Sequence, residues 1–369
     1  MSAANRYRLL LYFPNTTLYG EIPVWSTLSV HRVVGNVGLT TVTLPGNLYP
    51  VSFWQRDMQL AIIRSVEGNS GYLEGQTRWF LRKWTDRKTK QNHVMTLMFM
   101  DANCLLTRRG VGYAANSDQS NKTGPIDNLM KAIFRENFGA FAGDERDLSA
   151  WIGCETDMGL LPSCTQSFAW RNVHRVINDL SAMSAAAGVW GCGDVIWNDG
   201  VGFEFRTYLN QRGRDLRTQI EISEEAGNLA DPVMVWDYTN EVTTVIALGR
   251  GEGANREVAV ARDVRREQVS PYNRHELYLD CRHLEFGATA ALQSEATQAL
   301  ADGRGKIVLT GRIAERPGFR YGYDYGFGDL VMVRHSGYAM PCMVNDVNLT
   351  IDSSGIETVD NRFVGEEWA

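Results

Sequence analysis

The stretch Gly35-Asn-Val-Gly-Leu-Thr-Thr-Val-Thr-Leu-Pro45 decides the fold class of this chain. Its two glycines and asparagine are typical of a turn. The segment from Leu39 to Leu44 is rich in β-branched residues, which favour strands. Pro45-Gly46-Asn47 then closes the segment, because proline and glycine interrupt regular pairing. The stretch therefore predicts a turn followed by a strand of an antiparallel sheet.

Segments of the same kind continue on both sides of that stretch. Apolar or alternating runs occupy residues 7–13, 57–66, 75–85 and 93–100, and turns are predicted at Pro14-Asn15, at residues 67–71 and at the charged residues 86–92. Short strands with turn signals between them are typical of an antiparallel sheet or barrel. The first 109 residues are therefore predicted to form a β domain.

A polar, glycine-bearing segment at residues 110–125 predicts a domain boundary. A helix is predicted beyond it, with Asp127 as N-cap and Gly139 as C-cap, and a longer helix over residues 169–187. Strands at residues 190–197 and 202–208 are joined by the hairpin turn Asn198-Asp199-Gly200. A further turn at 211–215 leads into a strand at 216–222. Residues 110–225 are therefore predicted to be an α/β accessory domain.

The remaining residues, 226–369, predict a second β domain with an accessory helix and strands. A connector is expected at residues 223–232 and a helix at 286–301, with strands at 241–248, 256–261, 275–281, 306–314, 328–334 and 340–351. The predicted fold class is α+β, mainly antiparallel β, in three domains: 1–109, 110–225 and 226–369.

One internal similarity bears on this organisation. Asp57-Met-Gln-Leu-Ala-Ile-Ile-Arg64 and Asp329-Leu-Val-Met-Val-Arg334 each precede a glycine-bearing turn and a long strand. Two interpretations remain open: any two β-hairpins look alike, or the chain holds two related β units. In the second case, a trimer would present six similar units and match a six-fold partner.

Composition limits the function. The 369 residues carry a net charge of −6, with 44% hydrophobic and 22% charged residues, which are ordinary globular values. The acidic balance argues against a nucleic-acid-binding surface, although DNA could pass nearby without binding. The six cysteines have irregular spacing and are predicted to be reduced, with Cys154–Cys164 the least implausible disulfide. Neither a secretory signal nor a transmembrane helix is predicted.

Two motifs invite a cofactor or metal, and both have simpler explanations. Gly249-Arg-Gly-Glu-Gly253 has alanine at the position of the third glycine, and a strand follows instead of a helix, so a hairpin loop is predicted. His275 and Cys281 would lie about 20 Å apart along a strand, too far to share one ion. Cys281 and His283 alone do not supply the four ligands of a structural zinc site. No cofactor and no metal are predicted.

Catalytic candidates are equally weak. Cys192 lies among small residues, but no histidine stands out as its partner, and only distant His31 or His335 could serve. Glu204 stands between Phe203 and Phe205 and is predicted to point away from the apolar face, so a glycosidase carboxylate is not favoured. No catalytic, cofactor-binding or metal-binding residue is assigned, and the chain is predicted not to be an enzyme.

The aromatic and basic residues are predicted to pack in the core or to form contact surfaces. The tryptophans at positions 25, 54, 79 and 84 could form a carbohydrate platform, but core or subunit-interface anchors are commoner. The basic run Arg82-Lys83…Arg87-Lys88…Lys90 is predicted to be a hairpin tip that could contact an acidic partner ring.

Several segments together resemble one family. Glu204-Phe-Arg-Thr-Tyr-Leu-Asn-Gln-Arg-Gly-Arg-Asp215 is similar to the central segment of siphophage tail hub proteins. The further matching segments are Gly35–Pro45, Gly227-Asn-Leu-Ala-Asp-Pro232, Gly249-Arg-Gly-Glu-Gly-Ala-Asn-Arg-Glu257, Ser270-Pro-Tyr-Asn-Arg274 and Tyr323-Asp-Tyr-Gly-Phe-Gly-Asp-Leu-Val331. Each is modest alone, but their order and spacing are fairly specific, and they extend over residues 7–364.

The resemblance implies a structural hub at the tail tip of a virion, synthesised in the host cytoplasm. Such hubs are trimers with two tail-tube-like β-barrels per subunit, forming a pseudo-six-fold ring. The expected partners are a distal tail protein or tail tube ring, a tip or fibre protein, and the tape measure protein. Viral DNA would pass through the lumen without sequence-specific binding, and the chain would not insert into a membrane. The alternatives are a cell-wall or glycan-degrading tail enzyme and a host-glycan binding module.

Overall fold

The first part of the chain forms strands, as predicted. The computed structural model describes residues 7–66, 69–72, 77–112, 119–199, 201–316 and 318–366. The first strands are β1 (Tyr7–Tyr12), β2 (Leu18–Glu21), β3 (Thr27–Val33), β4 (Leu39–Pro45), β5 (Gln59–Val66), β6 (Asn69–Tyr72), β7 (Trp79–Lys88) and β8 (His93–Asp101). Gly35 has a φ of 73° in the turn between β3 and β4, a conformation that glycine adopts without strain. The turn and the strand predicted from Gly35–Pro45 are thus confirmed.

The middle of the chain mixes helices and strands, as predicted. Its elements are β9 (Ser120–Pro125), α1 (Ile126–Phe138), β10 (Ile152–Cys154), β11 (Ser163–Phe168), α2 (Val173–Ala186), β12 (Gly191–Asn198) and β13 (Gly202–Leu209). Of the predicted segments, residues 67, 68, 75, 76, 113–118 and 200 lie outside the described residues.

Two helix starts differ from the prediction. Pro125, not Asp127, is the N-cap of α1. Asp127 is buried in the first turn, and its carboxylate accepts the backbone N–H groups of Leu160 and Leu161 at 3.1 Å. The second helix begins only after Asn172, whose side chain accepts the N–H of Arg175. In both cases a tertiary contact or a better cap overrides the local pattern.

The last part of the chain adds the remaining elements. They are β14 (Glu221–Ser223), β15 (Leu229–Asp237), β16 (Thr244–Leu248), β17 (Val258–Arg262), α3 (Val264–Glu267), β18 (Glu276–Asp280), α4 (Thr289–Asp302), β19 (Lys306–Ile313), β20 (Leu330–His335), β21 (Tyr338–Ile351) and β22 (Glu357–Glu366). Where a strand was predicted over residues 216–222, the structure has only the three residues of β14. The predicted connector already contains the start of β15, because a bulge between Ala230 and Val233 accommodates Pro232 within the strand.

One large sheet of fourteen strands joins both ends of the chain. Its order is β15-β19-β22-β21-β3-β4-β8-β7-β5-β1-β2, with β6 on β5 and β14-β20 on β21. The long strand β21 pairs with β20 through residues 338–343 and with β3 through residues 346–351. This strand order is open, and no closed barrel is found among the described strands. The predicted α+β, mainly antiparallel class is confirmed, but the two barrel units are not.

Both members of the predicted repeat lead into antiparallel hairpins. β20 pairs with the long strand β21, as predicted. β5 turns instead into the short β6 and meets the long β7 only at two register positions. The relation between the two units stays a prediction.

Three hydrophobic cores hold the structure together. The largest lies under the sheet and includes residues from both ends of the chain, such as Leu9, Phe99 and Phe363. The second lies between α1, α2 and the β12–β13 hairpin. The third lies between α4 and the small sheet β17-β16-β18. Each fully buried Leu or Phe contributes about 1.5–3 kcal/mol. None of the helices in the described ranges is long and apolar enough to cross a membrane.

Candidate assembly surfaces and the buried junction

The outward face of the sheet is rich in hydroxyl groups. Alternate residues of β3 and β4 are buried in the core, so the residues between them face outward. Thr358, Thr350, Ser29 and Thr41 are register neighbours in one row across β22, β21, β3 and β4. A second row carries Thr27, Thr43, Thr96 and Thr85 across β3, β4, β8 and β7. We call this surface the hydroxyl face.

One part of the hydroxyl face is mostly negative, whereas exposed Lys83 and Arg87 flank Thr85 at its β7 end. A cavity of about 670 Å³ opens on it, lined among others by His31, Asp231, Arg312, Asp346 and Asp360. His31 Nε2 lies 2.9 Å from Asp346 Oδ1. Three carboxylates against one guanidinium give this part of the sheet a potential that repels phosphate groups.

The two ends of the sheet expose apolar side chains. β15 pairs only with β19, and β2 only with β1, among the described strands. On β15, Val233 is 56% exposed and Val235 is 47% exposed; on β2, Leu18 is 53% exposed and Tyr19 is 44% exposed. An unpaired strand with exposed apolar residues readily accepts another chain. We call these surfaces the β15 edge and the β2 edge.

An aromatic cluster supports the β2 edge. The ring of Tyr19 lies 4.8 Å from that of Phe53 and 5.5 Å from that of Phe13, measured between centroids. Tyr49 stacks on Phe53 at 4.7 Å, and both pack against buried Trp54. Aromatic pairs of this geometry contribute about 0.5–1.5 kcal/mol each beyond the area they bury. The β2 edge is therefore held by ring contacts that reach the main core.

A buried junction of charges links the sheet to the middle domain. Arg32 on β3 lies between Asp101 on β8 and Asp194 on β12, with N–O distances of 3.6 Å and 3.4 Å. Arg212 Nε donates to Asp194 Oδ2 at 2.5 Å. The side chains of all four are less than a tenth exposed. Two cations and two anions thus balance one another away from water, as buried charges must.

The two carboxylates of the junction titrate differently. Burial raises the pKa of Asp101 to about 6, against the opposing effect of Arg32. Burial also acts on Asp194, but Arg212 and Arg32 outweigh it and hold the pKa of that carboxyl below its usual value. Asp194 therefore remains the anionic centre of the junction, because an opposite charge nearby favours the charged form.

Three of the segments that carry the family resemblance meet near this junction: residues 35–45, 204–215 and 323–331. Asp329 accepts the backbone N–H of Arg214 at 2.6 Å and its guanidinium at 2.8 Å. A Cβ on Gly38 would lie 2.8 Å from Asp101 Oδ2 and 3.1 Å from the ring of Trp79, so this position leaves no room for a side chain. These three segments thus lie where the sheet contacts the β12–β13 hairpin and the loop after it.

The predicted loop at residues 249–253 and the cluster of His275, Cys281 and His283 lie next to β16 and β18. The segment Gly249–Gly253 forms the loop between β16 and β17, which confirms the hairpin prediction. Cys281 is fully buried in the third core, and His283 lies 3.8 Å from Glu295. Within the described ranges, no group of three or more His, Cys, Asp or Glu side chains is placed to hold a metal ion.

The side chains considered as catalytic candidates are buried or paired with other residues. Cys192 is buried, and burial raises the pKa of its thiol well above the usual value, which disfavours the reactive thiolate. His31 contacts Asp346, and His335 contacts Glu224 at 3.0 Å. Glu204 accepts Arg206 Nε at 2.7 Å, while Phe203 and Phe205 are buried, so its outward direction is confirmed.

The aromatic and basic candidates also lie as predicted. The four tryptophans at positions 25, 54, 79 and 84 pack in or against the main core, which makes them core anchors. The end of the basic run lies at the tip of the β7–β8 hairpin, where Arg87, Lys88 and Lys90 are exposed, whereas Lys83 lies within β7 opposite Met98. The buried junction and the two sheet edges, by contrast, are not predicted by any motif.

The comparisons with known proteins identify a family and a fold. The family model described as Siphovirus ReqiPepy6 Gp37-like protein matches residues 8–363. The 43 kDa tail protein of prophage MuSo2 from Shewanella oneidensis is 9% identical, with a TM-score of 0.59, over 96% of this chain and 98% of that one. No curated protein sequence matches the chain.

Two further solved structures share the fold over their whole length. The tail protein from Neisseria meningitidis MC58 is 11% identical, with a TM-score of 0.57, over 98% of this chain and 97% of that one. Prophage tail protein gp18 from Listeria monocytogenes EGD-e is 10% identical, with a TM-score of 0.55, over 98% of this chain and 95% of that one. The siphophage resemblance is thereby confirmed, and this chain belongs to the Siphovirus ReqiPepy6 Gp37-like protein family.

Proposed function

We propose that this chain is a structural subunit of a phage tail, where it forms the hub ring at the tail tip. The observation that carries the proposal is one open sheet whose two unpaired ends, the β15 edge and the β2 edge, both expose apolar residues. The shared fold with three phage or prophage tail proteins, over nearly their full length, supports the place in the tail.

The ring closes head to tail in this proposal. The β15 edge of one copy meets the β2 edge of the next, which is a heterologous contact that generates a ring when the rotation closes. Three copies present six sheet halves, one from each end of each chain. A trimer of this kind would match a six-fold distal tail protein or tube ring.

The hydroxyl face lines the lumen in this arrangement. Its rows carry uncharged threonine and serine, and the cavity around Asp231, Asp346 and Asp360 repels a phosphate backbone, while Lys83 and Arg87 lie at the β7 end of the face. Viral DNA therefore passes without sequence-specific binding.

The remaining partners follow from the position of the ring. One side of the ring contacts the distal tail protein or tube, and the other contacts a tip or fibre protein and the tape measure protein. The exposed basic tip of the β7–β8 hairpin suits an acidic partner. Residues 1–109 and 226–369 supply all strands of the sheet except β14, and residues 110–225 form the accessory domain. The hub is part of the virion and does not insert into a membrane.

The proposed role is mechanical and not enzymatic. Burial raises the pKa values of the cysteine thiols, to about 11 for Cys104 and about 12 for Cys342. Thiols of this kind are poor nucleophiles at neutral pH. A wall-degrading activity would therefore have to use other residues, and wall digestion by the purified protein would favour that alternative.

Edge variants test the ring directly. We expect native mass spectrometry of the wild type to give three times the chain mass of 41.4 kDa. Val235→Lys on the β15 edge and Leu18→Lys on the β2 edge should each give single chains, because lysine on an unpaired strand opposes pairing. Val201→Lys, at an exposed position in the turn between β12 and β13, is the matched control and should still form trimers.

Mixing the two edge variants separates the proposed contact from other modes of assembly. Each variant keeps one intact edge, so the mixture should form pairs of one Val235→Lys and one Leu18→Lys chain, but no trimer. The proposal is wrong if both variants assemble like the wild type, or if their mixture stays monomeric while the control forms trimers.

A further inference from the structure

A polar cleft lies between the middle domain and helix α4. Its volume is about 600 Å³, and its lining includes Asn121, Thr165, Ser167, Arg171 and His283. One wall is the two-stranded β9–β11 sheet, and the opposite wall is the start of α4 with the preceding loop. A volume in the range of about 300–1,000 Å³ is usual for sites that hold small molecules.

The start of α4 offers unused donors to this cleft. The helix has fourteen residues, and its N-cap Ala288 provides no side-chain cap. Ala290 and Ala291 line the cleft, and neither backbone N–H has an acceptor among the described residues. The first N–H groups of a helix have no partner within the helix and need one from outside.

A second, independent feature is an unused amide on the opposite wall. Gln166 lines the cleft and is only 7% exposed. Its side chain makes no hydrogen bond with any residue in the described part of the chain. The residue is nine-tenths buried but its amide still opens to the cleft, so a ligand with both donor and acceptor groups can pair with it.

The charges on the lining exclude a simple anion site. Glu285 and Glu295 lie on the same wall as His283 and face Arg171 across the cleft. Two carboxylates would repel phosphate or sulfate, whereas a neutral polyol donates to carboxylates and accepts from guanidinium and amide groups. Phe286, next to Glu285, and Trp170, next to Arg171, are 69% and 73% exposed. Exposed aromatic rings beside a polar cleft suit the apolar faces of sugar rings.

We propose that this cleft binds a saccharide unit of a glycan. The sugar hydroxyls pair with the amides of Gln166 and Asn121, with Arg171 and with the free N–H groups at the start of α4. This site is separate from the β15 and β2 edges and does not depend on the ring. A loss of glycan binding would therefore leave the proposed hub function intact, and a failure of the ring would leave the cleft intact.

Saturation-transfer NMR on the intact chain tests the cleft. The probes are glucose, galactose, rhamnose and N-acetylglucosamine, with inorganic phosphate followed separately by its ³¹P line width. We expect saturation of ring protons in at least one sugar. Arg171→Ala should weaken that binding at least about tenfold, since a hydrogen bond to a charged group is lost. Ser167→Trp should abolish it by filling the cleft.

Arg175→Ala is the matched control, because this arginine is exposed one helical turn further along α2 and does not line the cleft. It should bind sugar like the wild type, and circular dichroism should show all three variants folded. The proposal is overturned if no sugar receives saturation, if phosphate alone binds, or if a folded Ser167→Trp binds as well as the wild type.

Discussion

Removing the carboxylate at the centre of the buried junction should strongly destabilise the protein. Asp194 is 4% exposed, accepts Arg212 at 2.5 Å, and lies 3.4 Å from Arg32. Asp194→Ala leaves two buried guanidinium groups short of a counter-charge. Breaking one buried ion pair costs about 3–5 kcal/mol, which is a large part of the total stability of about 5–15 kcal/mol of a typical domain.

Urea unfolding followed by tryptophan fluorescence measures this loss. The surface pair of Asp215 and Arg217 is the matched control, since its N–O distance is 2.7 Å but its side chains are 41% and 46% exposed. Asp215→Ala should therefore cost less than about 1 kcal/mol. The double variant Asp194→Ala/Arg212→Met should recover part of the loss, because it removes the excess positive charge and leaves Arg32 paired with Asp101.

The reasoning about the junction fails on either of two results. One is that Asp194→Ala lowers the free energy of unfolding no more than Asp215→Ala does. The other is that the double variant is less stable than Asp194→Ala by the full cost of a second independent loss, since contacting residues should not be additive.

Three further predictions concern buried residues. Burial raises the pKa of Asp101 from 3.8 to about 6, so its contribution to stability is complete below pH 3.8 and is lost as pH rises through about 6. In urea unfolding, the stability of the wild type relative to Asp101→Asn should therefore fall between pH 4 and pH 7. A difference that stays constant over this range would contradict the prediction. Gly38→Ala should cost about 1–3 kcal/mol in thermal or urea unfolding because its Cβ meets Asp101 and Trp79, whereas Gly153→Ala, whose Cβ has only ordinary contacts, should cost clearly less. In the folded protein the half-buried thiols of Cys154 and Cys164 should react with a thiol reagent before the four buried ones, and mass spectrometry showing Cys192 modified first would contradict this order.

Local patterns predicted the elements whose signals lie close together in the sequence. The β3–β4 hairpin follows from Gly35–Pro45, and α2 follows from its apolar face, although its start was placed four residues early. Residues 229–232 were predicted to belong to a connector, but they begin β15, where a bulge between Ala230 and Val233 accommodates Pro232.

The assembly surfaces could not be predicted in the same way. The pairing of β21 with β3 joins residues more than 300 positions apart, and β22 was not predicted at all. Which strands lie at the edges of the sheet depends on that long-range pairing, and no local sequence pattern indicates it. Arg32 reads as an ordinary strand residue, and only the folded structure brings Asp101 and Asp194 to it.

The position and copy number of this chain in the virion test the central claim most directly. Cryo-electron microscopy of tails, with an epitope label on this chain, should show one ring of three copies at the distal end of the tail tube, with the hydroxyl face toward the lumen. Label in the capsid, or a ring of six copies of this chain, would contradict the account.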